Sequence, residues 1–192
     1  MRTTVEFKFV SLVFLMAFIA RWPGKTEAGS VSDSLISNVD LFATVAAITG
    51  RKLGPSEGED SFNILPALTG VPGAKVRDHL LIAPLRRTHL SMRKGDWIYI
   101  GARGHGGFGA KKVGEHGLGG PAAQLFTGHV KSDIEDGKIK PDAPNAQLYN
   151  LARDPYQKQN VIRSHPEIAE RMKAEMERIS THPTAPHTVL GI

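Results

Sequence analysis

The stretch Met92–Ile100 (MRKGDWIYI) predicts the element around which the rest of the fold is built. The pair Lys94-Gly95 is typical of a tight turn. It separates His89–Arg93 from Asp96–Ile100, so these flanking segments predict an antiparallel hairpin. In the second strand the aromatic side chains alternate with isoleucines, which puts the two kinds on opposite faces. Both faces of this strand are therefore expected to be covered by the protein.

Two more strands and a helix extend the hairpin into a small domain. His79–Ala83 is rich in apolar β-forming residues, and Gln147–Leu151 predicts a short edge strand. The sequence Ser164–Glu167 (SHPE) fits a capping box that opens a helix from His165 to about Ile179. The apolar stripe of that helix consists of Ile168, Met172, Met176 and Ile179. The pattern predicts an α+β fold in which a small antiparallel sheet is packed by the carboxy-terminal helix.

Three further stretches have a recognisable local pattern. Residues 39–48 have helical periodicity, with Asn38 as the expected N-cap and Gly50 as the expected stop. Nine of the residues in 101–120 are glycine, so 101–144 is expected to be a long surface loop. Residues 181–192 place Pro and His among polar residues, which predicts a flexible tail.

Residues 9–20 form an apolar run (FVSLVFLMAFIA) behind Arg2 and Lys8. Two interpretations stay open from these residues alone. The run is typical of a signal peptide, with the small residue Ala28 as a cleavage point, and it also fits a buried strand of an α/β sheet. A bilayer requires about 20 apolar residues, which this run does not reach, so no stable membrane span is predicted.

The composition excludes several classes of site and partner. The chain has 192 residues, a formal net charge of +5 and no cysteine. Disulfides, thiolate metal sites and cysteine nucleophiles are therefore excluded. Because the basic residues stand in scattered pairs without interleaved aromatic residues, a nucleic-acid partner is not predicted. Sulfated polymers remain as candidate polyanions for the basic surface.

Two short motifs match functional patterns only in part. Gly104–Gly109 (GHGGFG) has the spacing of a dinucleotide-binding turn, but further glycine follows where a helix is required. Gly54–Gly58 (GPSEG) has the spacing of a nucleophile elbow, but no apolar strand precedes it. The histidines include no pair with the spacing of a zinc site. The residues alone therefore predict no catalytic constellation and no metal site.

Five segments, taken in order over about residues 18–180, resemble the carboxy-terminal part of the sulfatase (arylsulfatase) family. They are Phe18–Lys25 (FIARWPGK), Val39–Thr44 (VDLFAT) with Gly50 after it, Glu59–Phe62 (EDSF), Met92–Ile100, and Gln147–Val161, in which QLYNL, DP and NV keep the family's spacing. Three residues depart from the usual pattern, because Ala43 replaces a usual Pro, Ser61 a common Gly and Ile98 a common Lys.

The resemblance implies the carboxy-terminal part of an alkaline-phosphatase-like sulfatase fold. Residues 1–17 have no counterpart in the family, 18–75 correspond to the end of the larger α/β domain, and 76–180 correspond to the carboxy-terminal subdomain with its glycine-rich loop 101–144. Phe18–Trp22 then resembles a core strand, which favours the strand interpretation of the apolar run. The location stays open, being periplasmic or secreted if residues 1–28 act as a signal peptide.

The family reaction is the hydrolysis of sulfate esters, and the resemblance implies where its chemistry lies. The nucleophile is a formylglycine made from Cys or Ser in a C/S-x-P-S/A-R motif. Here only Ser164-His165-Pro166 begins such a pattern, and Glu167-Ile168 do not complete it. The acidic ligands of the family's calcium, and the Lys and His that grip the sulfate, precede the region that this chain resembles. The chain is therefore expected to hold no catalytic residue, metal ligand or cofactor and to be inactive alone.

The carboxy-terminal sheet of the family forms one wall of the substrate cleft, which indicates substrate-side candidates. These are His89, Arg87 and Arg93, around the start of the hairpin. The expected partners are a sulfated small molecule or glycan and a complementary amino-terminal sulfatase half. Two alternatives stay open: a non-catalytic secreted module that binds sulfated glycan through basic loops, and a regulatory partner that docks on a complete sulfatase.

Overall fold

The computed structural model describes residues 18–83, 87–104 and 128–181. The chain folds into two compact units, each assembled from separate stretches of sequence. Unit A combines Ile19–Ile82 and Met92–Gly95 with the chain from Glu170 onward, and unit B combines Ala83–Ser91 with Asp96–Ala169. Within the described ranges, no helix has both the length and the apolar character needed to cross a membrane.

Within these ranges, four strands lie in one sheet and two more form a separate hairpin. The α-helices are α1 (Asp40–Ile48), α2 (Leu65–Leu68) and α3 (Pro166–Thr181). The strands are β1 (His79–Ile82), β2 (Ser91–Lys94), β3 (Trp97–Ile100), β4 (Ile134–Glu135), β5 (Lys138–Ile139) and β6 (Gln147–Asn150). The sheet has the order β1-β2-β3-β6, and β4 pairs with β5. The predicted α+β fold, with its small antiparallel sheet and carboxy-terminal helix, is confirmed.

Strands β3 and β6 form the core of unit B. They pair antiparallel, with Ile98 opposite Tyr149 and Tyr99 opposite Leu148. All four side chains are buried. Because cross-strand apolar pairs are the unit of sheet stabilisation, this pairing accounts for much of the sheet's stability. The expectation that both faces of β3 are covered is confirmed, and β6 lies at the edge of the sheet in strand order, as predicted.

Helix α3 carries the predicted apolar stripe but begins differently from the predicted capping box. Pro166 is its first residue, so His165 rather than Ser164 stands at the cap position. Proline is favoured as the first residue of a helix, because the backbone N–H at that position has no partner within the helix. Met172, Met176 and Ile179 are buried together with Ala169, and Ile168 is half-buried. In unit A, Glu175 of this helix accepts a hydrogen bond from Lys94 of β2 at 2.6 Å.

The first arm of the hairpin differs from the prediction. Strand β2 starts at Ser91, and His89, predicted as the first residue of the strand, instead ends a turn of 3-10 helix over Arg87–His89. Within this turn Thr88 Oγ1 lies 3.1 Å from His89 Nδ1, a local contact between two side chains. At the tip, Gly95 has a φ of 56°, a left-handed conformation that favours glycine, which explains the turn signal.

The predicted surface loop 101–144 is wrong over its last part. Residues 134–139 form the β4–β5 hairpin, and Ile134 is buried. Asp136 and Gly137 both have positive φ, at 47° and 73°, as a two-residue type I′ turn requires. An Asp-Gly pair is a signal for this turn, and the prediction of one loop over 101–144 took no account of it. Residues 105–127, with most of the motif Gly104–Gly109, lie outside the described part of the chain.

Two predictions in the first fifty residues also need correction. Phe18–Ala20, the end of the predicted buried strand, forms no strand and is exposed, with Ile19 at 86%. A strand forms only where other strands supply hydrogen-bond partners, and no described segment pairs with residues 18–20. Helix α1 begins at Asp40 without a side-chain cap from Asn38, whereas Gly50, with a φ of 70°, ends it as predicted. Residues 9–17 and the tail from 182 lie outside the described residues.

We expect Met172→Ala to lower the free energy of unfolding by about 2–5 kcal/mol, because it leaves a cavity under α3. Urea unfolding followed by circular dichroism measures the change. The matched control is Lys173→Ala, an exposed neighbour on the same helix, which should change stability by less than about 0.5 kcal/mol. Equal midpoints for both variants with the helix intact would show that Met172 is not part of a packed core.

Candidate functional site

A buried carboxylate organises unit A. Asp40, the first residue of α1, has no exposed surface, and its Oδ1 accepts hydrogen bonds from Arg77 Nη2 and from the Phe62 backbone N–H at 2.9 Å. Its Oδ2 accepts the Ser37 N–H at 2.6 Å. A carboxylate is costly to bury unless it is paired and hydrogen-bonded, and both conditions are met here.

The Arg77 guanidinium is correspondingly enclosed. Its side chain is 4% exposed, and Nη2 donates both to Asp40 and to the Asp60 carbonyl oxygen, the latter at 3.0 Å. The guanidinium also lies 4.3 Å from the centre of the Phe62 ring, a cation–π contact that gains strength when water is excluded. Arg77 thus connects the segment before β1 with both the start of α1 and the loop at 60–62.

Two hydroxyls extend this network along α1. Ser61 Oγ accepts the Ala43 N–H at 2.8 Å and donates to the Val39 carbonyl at 2.7 Å. Thr44 Oγ1 accepts the Ile64 N–H at 3.0 Å. Two of the family-like segments, VDLFAT and EDSF, are therefore joined by hydrogen bonds inside the protein. Asp40, Ser61 and Thr44 act in architecture, since their carboxylate and hydroxyls are already engaged in hydrogen bonds.

Asp78, His79 and Glu175 form the one group of three metal-capable side chains among the described residues. Their ligand atoms lie within 4.8 Å of one another, and His79 Nδ1 is 2.6 Å from Asp78 Oδ1. Lys94 Nζ lies 2.6 Å from a Glu175 oxygen and 3.5 Å from an Asp78 oxygen. The cluster is therefore an ion-pair network around an ammonium group.

The charges in this cluster favour one another's ionised forms. The hydrogen bond with Glu175 raises the pKa of Lys94, against a smaller opposing effect of burial. Burial acts to raise the pKa of Asp78, but the hydrogen bond and charge of His79, together with Lys94, hold it below its ordinary value. Calcium takes six to eight oxygen ligands, and these side chains, with an imidazole and an ammonium among them, do not fit the calcium that the sulfatase resemblance implies.

The three substrate-side candidates lie at different places. His89 is buried in the 3-10 turn. Arg87 is the first residue of the same turn. Arg93 belongs to β2 in unit A, and its Nε donates to the Gly95 carbonyl at 3.3 Å. A role for any of the three at a substrate stays a prediction.

The environment of Lys131, a half-buried lysine in unit B, was not predicted from the sequence. Lys131 Nζ donates to Gln147 Oε1 at 2.9 Å and lies 4.7 Å from the centre of the Tyr149 ring. The Tyr149 hydroxyl donates to the same oxygen at 2.8 Å. Burial lowers the pKa of Lys131 to about 8, with the charges of Asp133 and Asp154 acting in the opposite direction. An isolated lysine in a predicted loop gave no signal of this environment.

The last family-like segment is held together by Asn160. Its Oδ1 accepts the Leu148 N–H at 3.0 Å and the Ile162 N–H at 3.1 Å. Its Nδ2 donates to Asp133 Oδ2 at 2.6 Å and to the Ala146 carbonyl at 3.2 Å. All the hydrogen-bonding capacity of the amide is thus used in bracing β6. The asparagine at this spacing after QLYNL is therefore an architectural residue.

The loop at Gly54–Gly58 is not a nucleophile elbow. No strand precedes Ser56 and no helix follows it, and its side chain is exposed in a turn. Glu57, the next residue, accepts the Gly54 N–H at 2.8 Å and pairs with Arg51. These contacts close a surface loop, as the sequence predicted.

Comparison with known proteins gives three sulfatases. No protein-family model matches the sequence. The N-acetylgalactosamine-6-O-sulfatase of Bacteroides thetaiotaomicron is 28% identical over 85% of this chain and 27% of its own length. The ulvan-active sulfatase of Formosa agariphila is 29% identical over 83% of this chain and 31% of its own length. A solved sulfatase structure, titled for the metabolism of multiple glycosaminoglycans by B. thetaiotaomicron, covers 84% of this chain and 28% of its own with a TM-score of 0.60 and 25% identity.

The predicted resemblance to sulfatases is confirmed by these matches, as is the fold class. The chain spans less than a third of the length of each relative that it matches.

We expect Arg77→Met to lower the free energy of unfolding by about 3–5 kcal/mol, because it leaves the Asp40 carboxylate buried without its cation. The control is Arg51→Met, which removes an ion pair whose side chains are 58% and 37% exposed and should cost about 0–1 kcal/mol. Chemical denaturation of the two variants measures both. A similar loss of unfolding free energy in the two variants would mean that the Asp40–Arg77 pair does not stabilise the position of α1.

The lowered pKa of Lys131 predicts a pH dependence of stability. Because the unfolded lysine binds its proton up to about pH 10.5 and the folded one only to about 8, the unfolding free energy should rise between these pH values. Urea unfolding at several pH values across this range measures the rise. Lys131→Met should abolish it, whereas Lys138→Met, at an exposed position, should leave it intact. A rise that survives Lys131→Met would assign it to another group.

Proposed function

We propose that this chain, which has the sequence and fold of a carboxy-terminal portion of a sulfatase, forms one wall of the substrate cleft of a sulfuric ester hydrolase. The observation that carries the proposal is the pair of curated sulfatase relatives, which match 83–85% of the chain. The match covers 27–31% of each relative, and a complementary amino-terminal half is proposed for the rest of the enzyme.

The chemistry of sulfate-ester hydrolysis supports that division. The reaction needs a strong nucleophile and a cation that offsets charge on the sulfate oxygens. We place both in the complementary half, where the family's formylglycine and calcium ligands lie. The chain has no cysteine, Ser164 does not begin a complete formylglycine motif, and Ser56 sits in an exposed turn. The isolated chain is accordingly proposed to be inactive, with the role of positioning substrate.

The substrate class is proposed to be a sulfated glycan. One relative is named as an N-acetylgalactosamine-6-O-sulfatase and the other as an ulvan-active sulfatase. His89, Arg87 and Arg93 are each proposed, one by one, as candidates for contact with the sugar beyond the sulfate being cleaved. An arginine fork suits sulfate and carboxylate groups, which makes these positions specificity residues rather than catalytic ones.

A second candidate function is a non-catalytic secreted module that binds sulfated glycan through its basic loops. The net charge of +5 favours it, because a positive surface attracts polyanions over a distance set by the salt concentration. Chromatography on heparin separates the two functions. A module of this kind would bind heparin without any partner and would elute only at a raised salt concentration, whereas the proposed cleft wall requires the complementary half for selective recognition.

We expect the purified chain to hydrolyse an activated aryl sulfate no faster than buffer with calcium. Co-expression with the unmatched amino-terminal portion of the B. thetaiotaomicron N-acetylgalactosamine-6-O-sulfatase should restore turnover, because that portion supplies the nucleophile and the metal site. Turnover by the chain alone would contradict the proposal, and so would an assembled pair without activity.

The same assembled pair tests His89. His89→Ala should lower kcat/KM for a sulfated glycan by about tenfold or more while leaving the small aryl sulfate nearly unchanged, since lost substrate positioning affects the larger substrate first. His129→Ala, at an exposed histidine, is the matched control. An equal change for both substrates would leave His89 as a structural residue of the 3-10 turn.

A further inference from the structure

Three side chains with nitrogen and oxygen ligand atoms meet in unit A. Asp78 precedes β1, His79 begins it, and Glu175 lies on α3. Their ligand atoms are within 4.8 Å of one another, and His79 Nδ1 is 2.6 Å from Asp78 Oδ1. Ligand atoms that are about 2.0–2.2 Å from a tetrahedral zinc ion stand about 3.4 Å apart. Small side-chain rotations therefore suffice to bring all three groups onto one ion.

The imidazole of this group is fixed by its surroundings. The His79 side chain is 20% exposed, and its ring meets the Phe62 ring edge-on, with centres 6.3 Å apart and planes at 85°. Arg77 Nη1 lies 3.5 Å from the His79 carbonyl oxygen, so the buried Asp40–Arg77 pair also positions the backbone here. A ligand that is already held loses little conformational freedom on binding, which favours affinity.

Lys94 shows that this place already attracts a cation. Its Nζ lies 2.6 Å from Glu175 Oε1 and 3.5 Å from Asp78 Oδ2. The Lys94 side chain is 40% exposed, and ion pairs at such exposure contribute little to stability, because water and salt screen them. The ammonium offsets one of the two negative charges, whereas a divalent ion offsets both. A metal ion can therefore take the place of the ammonium, whose flexible stem can turn toward water.

We propose that Asp78, His79 and Glu175 bind one zinc ion, which displaces the Lys94 ammonium and joins the start of β1 to α3 within unit A. Imidazole nitrogen is a typical zinc ligand, whereas calcium and magnesium prefer sites made of oxygen atoms. Three protein ligands leave the fourth position of the metal to water. The zinc site is independent of the proposed function, because its ligands belong to one unit and none of them is a candidate for contact with substrate.

Zinc binding is measured on the untagged full-length chain after a chelator has removed bound metal. The chain is titrated with ZnCl2 in a calorimeter, and circular dichroism follows its thermal unfolding at each zinc concentration. We expect the site to saturate at one zinc ion per chain and the melting temperature to rise with zinc, because a ligand bound only by the folded state stabilises that state. MgCl2 at the same concentrations should leave the melting temperature unchanged. A melting temperature that does not respond to zinc would overturn the proposal, and so would an equal rise with magnesium.

Two variants remove one ligand each. His79→Ala and Glu175→Gln should each weaken zinc binding by about tenfold or more, because even residues that only orient the ligands of a metal are worth about 10- to 100-fold in affinity. The matched controls change an exposed histidine and an exposed glutamate of α3. They are His129→Ala and Glu177→Gln, and both should keep the affinity of the unchanged chain. Full affinity in either ligand variant would overturn the three-ligand site and assign the binding to other side chains.

Lys94→Met tests the competition between zinc and the ammonium, with an expected effect of opposite sign. Its zinc affinity should exceed that of the unchanged chain, because no ammonium has to be displaced from the two carboxylates. Lys173→Met, at an exposed position on α3, is the control and should not change the affinity. Because Lys94→Met keeps all three ligands, it decides the question even if His79→Ala does not fold. Equal zinc affinity in Lys94→Met and the unchanged chain would show that the metal and the ammonium do not share one place, which overturns the proposal.

Discussion

The carboxylate of Asp40 lies in unit A without contact with water, and the placement of α1 follows from that constraint. A charge so enclosed needs a cation and several donors, and they come from the segment before β1, the loop at 60–62 and the turn before the helix. These contacts hold the side of α1 that carries Asp40 against the interior of unit A. The side with Phe42 and Val45 is thereby directed outward, which makes an internal electrostatic requirement the origin of an external apolar surface.

The residues that make the chain resemble a sulfatase are mostly architectural. Asp40, Ser61, Tyr149 and Asn160 all use their polar atoms in hydrogen bonds within their own unit. A family resemblance can thus be carried by the framework of an enzyme independently of its reactive groups. The framework is also the part that physical reasoning explains best. Each of these polar atoms has an identifiable hydrogen-bond partner, and the loss of that partner would lower the free energy of unfolding.

Elements that depend on neighbouring residues could be predicted from the sequence, and those that depend on distant partners could not. The β2–β3 turn at Gly95 and the stripe of α3 follow from local spacing. The Asp40–Arg77 pair joins residues far apart in the chain, and the lowered pKa of Lys131 arises from packing. His89 lies in the 3-10 turn and not in the predicted strand. Its hydrogen bond with Thr88 cannot be inferred from a pattern of apolar residues.

The interleaving of the two units governs the order in which the protein can form during synthesis. Unit A needs Glu170 and the residues after it, so its early segments emerge from the ribosome long before their last partner. At about 5–20 residues per second, translation of residues 96–169 takes roughly 4 to 15 seconds. Throughout that interval unit A lacks the residues from Glu170 onward. A chain cut before α3 would therefore leave unit A permanently incomplete.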